Sequence, residues 1–372
     1  MASTYTMVQC LGRGGFGEVY LANATSHGVS KRVAVKVLKD GVQRDDALAR
    51  LHDEAKMLGV LAHPAILSVI ELTRLDGRVA LVTEFVDGVD LSRFIKPDKL
   101  LPPRVAMSAI AEVAAALDVA WNTTSPITGR PLHLVHRDIK PDNIRLGRHG
   151  DIKLLDFGIA RTNQLMRAAA TVNGDSPFTP NYAPPEVYRD VPPGAHTDVF
   201  ALGATLYRLL VGEGVYHEIS VTGQVQLAAF EESFVGHIRA RLALIEGDAL
   251  RELLGQCLAH DPAARPTARE VQQRLERLAD ALEGPTVQRW ARSIEMPPPR
   301  ELDGALTGQT FTPDDHDTFR ARSTGPIREL PATRPVRRWP WIVGGLLLAL
   351  IVVSFVGVGL MATAAGTAYL WW

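Results

Sequence analysis

Four short stretches bring together, in one order along the chain, groups that can handle phosphate and a divalent cation. The first is Gly12-Arg13-Gly14-Gly15-Phe16-Gly17-Glu18-Val19. Its glycines suit a backbone that must turn tightly and approach an anion closely. It lies between two expected strands, whereas a dinucleotide fold needs a helix straight after the glycines. Taken alone it also describes a plain hairpin. The second stretch, Val33-Ala34-Val35-Lys36, reads as a strand. Alternation puts Lys36 on the face of Ala34, near the glycine turn. A buried ammonium needs a partner. Glu54 is the candidate, on a helical pattern with Leu51, Ala55 and Leu58, although a solvated position is the ordinary fate of a glutamate.

The third stretch is His136-Arg137-Asp138-Ile139-Lys140-Pro141-Asp142-Asn143, and the fourth is Asp156-Phe157-Gly158 after the apolar run IKLL. Carboxylates and an amide oxygen are hard ligands suited to Mg2+ beside phosphates. A separate carboxylate is needed to orient an attacking hydroxyl. Each stretch by itself is a polar turn; the four in this order argue for phosphoryl transfer.

The elements that must position these groups are legible as patterns. YTMVQCLG, GEVYLANAT, KRVAVKVLK and VALVTEFV read as strands. Pro103 to Trp121 reads as an alanine-rich helix with proline at its start, and the chain beyond Asp198 is mainly helical in pattern. A small strand-rich part thus precedes a larger helical one, an α+β arrangement.

On these motifs the chain resembles the eukaryotic-like protein kinases, in their bacterial membrane-anchored Ser/Thr branch. The resemblance implies a bilobal protein kinase fold over 5–282, with a small lobe at about 5–85 and a helical lobe at 86–282. It implies Mg-ATP as cofactor, with Mn2+ as a substitute for the metal. Gly12, Gly14 and Gly17 would cover the phosphates. Leu11, Val19, Ala34, Thr83, Glu84 and Asp90 would complete the nucleotide site, with Thr83 as gatekeeper of the hinge and Asp90 near the ribose. Lys36 would contact the α- and β-phosphates and pair with Glu54. Asp138 would accept the substrate hydroxyl proton, Lys140 would neutralise the γ-phosphate, and Asn143 and Asp156 would hold the metal. Lys140, two residues after Asp138, is the Ser/Thr form of this loop, so protein Ser and Thr hydroxyls are the expected substrates. An activation segment would run from Asp156 to Glu186, with Thr171 and Ser176 as sites of autophosphorylation and Thr179 facing the catalytic aspartate. Glu186 would pair with Arg265. The family's Ala-Pro-Glu is Pro184-Pro185-Glu186 here. A kinase-like scaffold and a kinase-fold enzyme acting on a small molecule are the rival readings.

The remaining composition bounds partners and location. A formal net charge of -1 gives no bulk attraction for polyanions, so no nucleic-acid partner is expected. The 2 cysteines are too few and too far apart for a disulfide scaffold or a zinc site. Residues 283–338, rich in Pro, Gly and Thr, read as a flexible connector. Residues 341–363 read as one C-terminal transmembrane helix, followed by an apolar tail over 364–372. Arg334, Arg337 and Arg338 before it would stay cytoplasmic, which predicts a single-pass inner-membrane protein with a cytoplasmic kinase domain. Gly344, Gly345, Gly357 and Gly359 would allow two copies to pair through that helix.

Overall fold

The computed structural model describes residues 3–13, 17–38, 55, 58–96, 99–126, 128–157, 179–189, 191–296, 302–314 and 319–320. Gly14, Glu54, Thr171 and Ser176 lie outside them. The first five strands are β1 (Thr4–Arg13), β2 (Gly17–Ser26), β3 (Val29–Leu38), β4 (Val69–Leu75) and β5 (Arg78–Glu84). All pair antiparallel, in the order β4-β5-β3-β2-β1. Two-residue turns fix the register. His27-Gly28 and Asp76-Gly77 carry positive φ at both positions, which matches the twist of the strands they join. In β3, Val33, Val35 and Val37 are buried in one small core together with Tyr5, Met7 and Tyr20. Ala34 and Lys36 alternate onto the opposite face, toward the larger lobe.

That lobe is built on α1 (Pro103–Asn122) and α2 (Ala195–Val211). Around them pack α3 (Val221–Ala229), α4 (Glu231–Leu242), α5 (Asp248–Cys257) and α6 (Ala268–Asp280). A second sheet, β6 (Gly88–Asp90), β7 (Ile144–Gly147) and β8 (Ile152–Leu154), carries the His136–Asn143 and Asp156 stretches at its ends. At Gly203, an added Cβ would come within 2.7 Å of Cys257 Cβ, so α2 and α5 approach as closely as backbone allows. Glu186 and Arg265 meet as the resemblance implied. They form a buried, two-pronged ion pair at 2.7 Å on each arm, and Arg265 also donates to the carbonyls of Ala259 and His196.

Three sequence expectations about the C-terminus are corrected. Among the described residues, the one helix long and apolar enough to cross a membrane is α1, in mid-chain, with a mean hydropathy of 1.3. It is a core helix instead: Val105, Ile110, Val113, Ala114 and Leu117 are all buried in the kinase lobe. Residues 341–372 lie outside the described residues. Among the described residues the fold is the bilobal one, and the single candidate span lies in mid-chain rather than at the C-terminus. The membrane as a partner, pairing of copies through that helix and a single-pass inner-membrane location all rested on a C-terminal span, and none has support among the described residues.

Within the residues read as a connector, the chain forms α7 (Val287–Ser293), β9 (Thr310–Phe311) and β10 (Phe319–Arg320). Thr286 caps α7 by accepting from Arg289 N–H, and Trp290 meets Phe94 edge-on at 4.9 Å. β9 then pairs with β1, and β10 with β4. Both edges of the small-lobe sheet are covered, giving the order β10-β4-β5-β3-β2-β1-β9.

Breaking the Glu186–Arg265 pair from one side leaves a buried charge alone. Arg265→Ala is expected to lower the unfolding free energy by about 3–5 kcal/mol in a denaturant titration. The paired change Arg265→Met with Glu186→Leu is expected to cost less than Arg265→Ala alone.

Candidate active site

The cleft between the lobes is roofed by β1–β3 and floored by β7 and the segment after β8. Of the residues assigned to the nucleotide from the sequence, Leu11, Gly12, Val19, Ala34, Lys36, Thr83, Glu84, Asp90 and Asp156 line it. Gly17 sits outside the lining, where a Cβ would strike the Val37 carbonyl. Asn143 lies beside Asp138, deeper in the loop. Leu58, Val69, Leu81, Val86, Arg145 and Leu155 also line the cleft and were not anticipated. All but Arg145 are apolar, and an apolar side chain in a sequence shows a tendency to be buried but not what it faces.

Lys36 Nζ reaches across the cleft to Asp156 Oδ1 at 2.7 Å. The contact ties β3 to the end of the β8 stretch. Glu54, the partner expected for Lys36, lies outside the described residues. The Asp156 side chain is half exposed, so its second oxygen remains open to the cleft. Asp156 has φ +50° and Arg137 has φ +68°, both uncommon for residues with a Cβ. Such conformations cost on the order of 1–3 kcal/mol and persist where surrounding contacts over-determine them.

Those contacts centre on Asp198, in the first turn of α2. Its two carboxylate oxygens accept from His136 N–H at 2.7 Å and Arg137 N–H at 2.8 Å. His136 in turn is fixed by Leu155 O at 2.8 Å from Nε2 and by the Phe157 ring at 4.7 Å. Burial pushes the Asp198 carboxyl up to about 7, against the pull of the two N–H donors and of Arg137.

With the backbone held, Asp138 becomes the hub of a polar cluster. Asn143 Nδ2 donates to its carbonyl at 2.7 Å and to Oδ2 at 2.8 Å. Lys140 Nζ lies 3.0 Å from Oδ2, and Thr179 Oγ1 donates to Oδ1 at 3.0 Å. Lys140 also donates to Thr179 at 3.0 Å. Asp138 is 9% exposed, so one carboxylate is oriented by three partners with little water. The amide nitrogen of Asn143 is spent on Asp138 rather than its oxygen.

The hinge side has its own lock. Arg145 donates to Val86 O at 3.0 Å, Gly88 O at 2.7 Å and Asp90 Oδ1 at 2.8 Å. Burial raises the Asp90 carboxyl, and Arg145 opposes the rise. Glu84 turns its carboxylate to Lys153 at 2.7 Å and Ser68 N–H at 2.8 Å. Burial alone would raise Glu84; these donors outweigh it and hold the group below its ordinary value. The Glu84 carboxylate is therefore engaged with Lys153 and Ser68 at the edge of the cleft.

Fold and site together are those of a protein kinase. The protein kinase domain model matches residues 5–275, and the chain belongs to this family. It is 33% identical over 301 residues to serine/threonine-protein kinase PkaB of Streptomyces coelicolor, covering 76% of this chain and 65% of that protein. It is 29% identical to serine/threonine-protein kinase PknB of Mycolicibacterium smegmatis, covering 95% of this chain and 54% of that one. Tyrosine-protein kinase MasK of Myxococcus xanthus is 30% identical, over 83% of this chain and 47% of its own length. The chain thus spans from about half to just under two thirds of the length of these relatives. The crystal structure of a mutant form of the Mycobacterium tuberculosis PknI kinase domain superposes with a TM-score of 0.52 at 27% identity, over 74% of this chain and 95% of that one. Kinase homology carries a generic dependence on Mg-ATP.

The Asp198 carboxyl gives a pH signature. Its folded pKa, about 7, exceeds the ordinary 3.8, so the folded state binds the proton more tightly. Stability from this group is full below 3.8 and is lost as pH rises through about 7. Unfolding free energy measured across that window is expected to fall more steeply in the wild type than in Asp198→Asn.

Proposed function

We propose that this chain transfers the γ-phosphoryl group of Mg-ATP to Ser and Thr hydroxyls of proteins, including its own activation segment. The observation that carries this reading is the arrangement around Asp138. A carboxylate aimed by Asn143, Lys140 and Thr179 is suited to accept the proton of an incoming hydroxyl. Lys140, bridging Asp138 and Thr179, stands where it can meet negative charge on the transferred group. Lys36 binds phosphate oxygens from the roof, and Gly12 lets the β1 backbone come close to them. Asn143 Oδ1 and the open oxygen of Asp156 are a hard donor pair that fits Mg2+, with Mn2+ as a substitute. When bound, the metal neutralises charge on the phosphates. The protein supplies position and a preorganised field.

Ser/Thr preference is supported by the Lys140–Thr179 contact and by the relatives named as Ser/Thr kinases. One relative is named a tyrosine kinase, so phosphotyrosine in the same assay is the outcome that would move the substrate class. The domain unit is proposed to begin near residue 5, to change lobes near residue 85 and to include 287–320. That extends it past the boundary at 282 drawn from composition.

Incubation of the full chain with Mg-ATP, followed by mass spectrometry, tests the reading. Phosphate is expected at Thr171 or Ser176 in the wild type. Asp138→Asn is expected to lower the rate by about 10²–10⁴-fold while ATP binding persists. A wild type that binds ATP yet leaves neither itself nor a generic protein substrate phosphorylated would overturn the enzyme reading in favour of a scaffold.

A further inference from the structure

The chain beyond α7 returns to the small lobe at a particular place. Leu302 bridges Cys10, and the strand then runs antiparallel down the β1 edge. Met7 and the strap exchange bonds through Met7 N–H to Gln309 O at 2.9 Å and Gly308 N–H to Met7 O at 2.8 Å. Phe311 reaches Tyr5. The first residues of this strap, 302–306, therefore lie beside the end of β1 that leads into the glycine turn.

Strand alternation explains what they grip. Gly12 and Val19 are paired across β1 and β2 and face the nucleotide cleft. Their neighbours Arg13 and Glu18 are paired too, and alternation turns them to the other face. There Arg13 donates to the Asp303 carbonyl and forms an ion pair with Glu18 at 2.7 Å. Tyr20 donates to Glu18, and the Leu306 N–H reaches the Tyr20 hydroxyl at 3.4 Å. The result is a ring of contacts from strap backbone through Arg13, Glu18 and Tyr20 back to strap backbone. Tyr20 is fully buried, and Leu306 is buried in the same small core. Gly304 lies flat on it: an added Cβ would stand 2.5 Å from Tyr20 Cε1 and 2.8 Å from Cys10 Cβ.

We propose that residues 302–306 are a positioning element for the nucleotide, acting through the β1–β2 hairpin. The strap holds the outer face of the hairpin, so the inner face keeps Gly12 and Val19 at the spacing from Lys36 that phosphate binding requires. The proposal rests on the kinase reading above. It concerns a segment outside the family's matched span of 5–275.

The test uses the full chain and two variants. Gly304→Val inserts a branched side chain where there is no room for one, and Tyr20→Phe removes only the hydroxyl that joins Glu18 to Leu306. Three quantities are read well below the melting temperature: amide exchange over 302–311, equilibrium affinity for a non-hydrolysable ATP analogue, and the KM and kcat for ATP. Gly304→Val is expected to lose exchange protection over 302–311. Its Kd and KM for ATP should rise about tenfold, with kcat at saturating ATP nearly kept. Tyr20→Phe should shift affinity in the same direction by less. A merely structural strap would lower the melting temperature and leave the Kd and the KM-to-kcat split unmoved. Unchanged affinity in both variants, beside a wild type that binds the analogue, overturns the clamp and leaves the kinase reading intact. A wild type that binds no analogue overturns both.

Discussion

One buried carboxylate aims the segment that carries Asp138. Asp198 accepts from two successive backbone N–H groups, and these bonds hold Arg137 in a left-handed conformation that its side chain disfavours. Asp138 follows directly, so its direction is inherited from that strained residue. The carboxylate is held in place by the packing of α2. Val199, Phe200, Leu202, Leu206 and Leu209 bury that helix from several sides, and Gly203 lets α5 close against it. Apolar packing thus fixes one carboxyl group, and that group fixes a backbone.

The same logic, in which a group is spent on structure so that a neighbour is free for chemistry, recurs in the cleft. Asn143 commits its amide nitrogen to Asp138 and keeps its oxygen. Asp156 commits one oxygen to Lys36. Glu84 commits its carboxylate to Lys153, leaving the hinge lined by backbone and apolar side chains. Polar groups in a partly dry cleft are costly when unpaired, and each internal bond also selects an orientation.

What the sequence made legible was local or carried by motif. The alternation of the strand at Val33-Ala34-Val35-Lys36 put Lys36 on the face of Ala34, near the glycine turn. The Pro103 helix was read to within a residue of its end at Asn122. The pairing of Glu186 with Arg265 came from resemblance, because nothing in their own surroundings joins positions 79 residues apart. Arg145 escaped notice since its partners are mostly carbonyls, which every residue has. The strap escaped for a related reason. Its bonds to β1 are backbone pairings across some 300 residues, and Pro, Gly and Thr do not advertise a strand. Hydropathy is ambiguous in a different way. The helix at Pro103–Asn122, read from its pattern as part of the helical lobe, is as long and apolar as a membrane span, yet what surrounds it is other helices, and composition does not record what an apolar surface is buried against.

The strap has a consequence for how the molecule is made. Thr6 and Thr310 are bonded to each other but lie 304 residues apart. At ribosomal speeds of roughly 5–20 residues per second, the first five strands wait for tens of seconds before their last neighbours exist. During that interval the small lobe presents two bare strand edges and an apolar pocket around Tyr20, the kind of surface that recruits another chain. The small lobe is first in sequence, yet its sheet gains its last two strands only after every helix of the large lobe up to Asp280 has been synthesised.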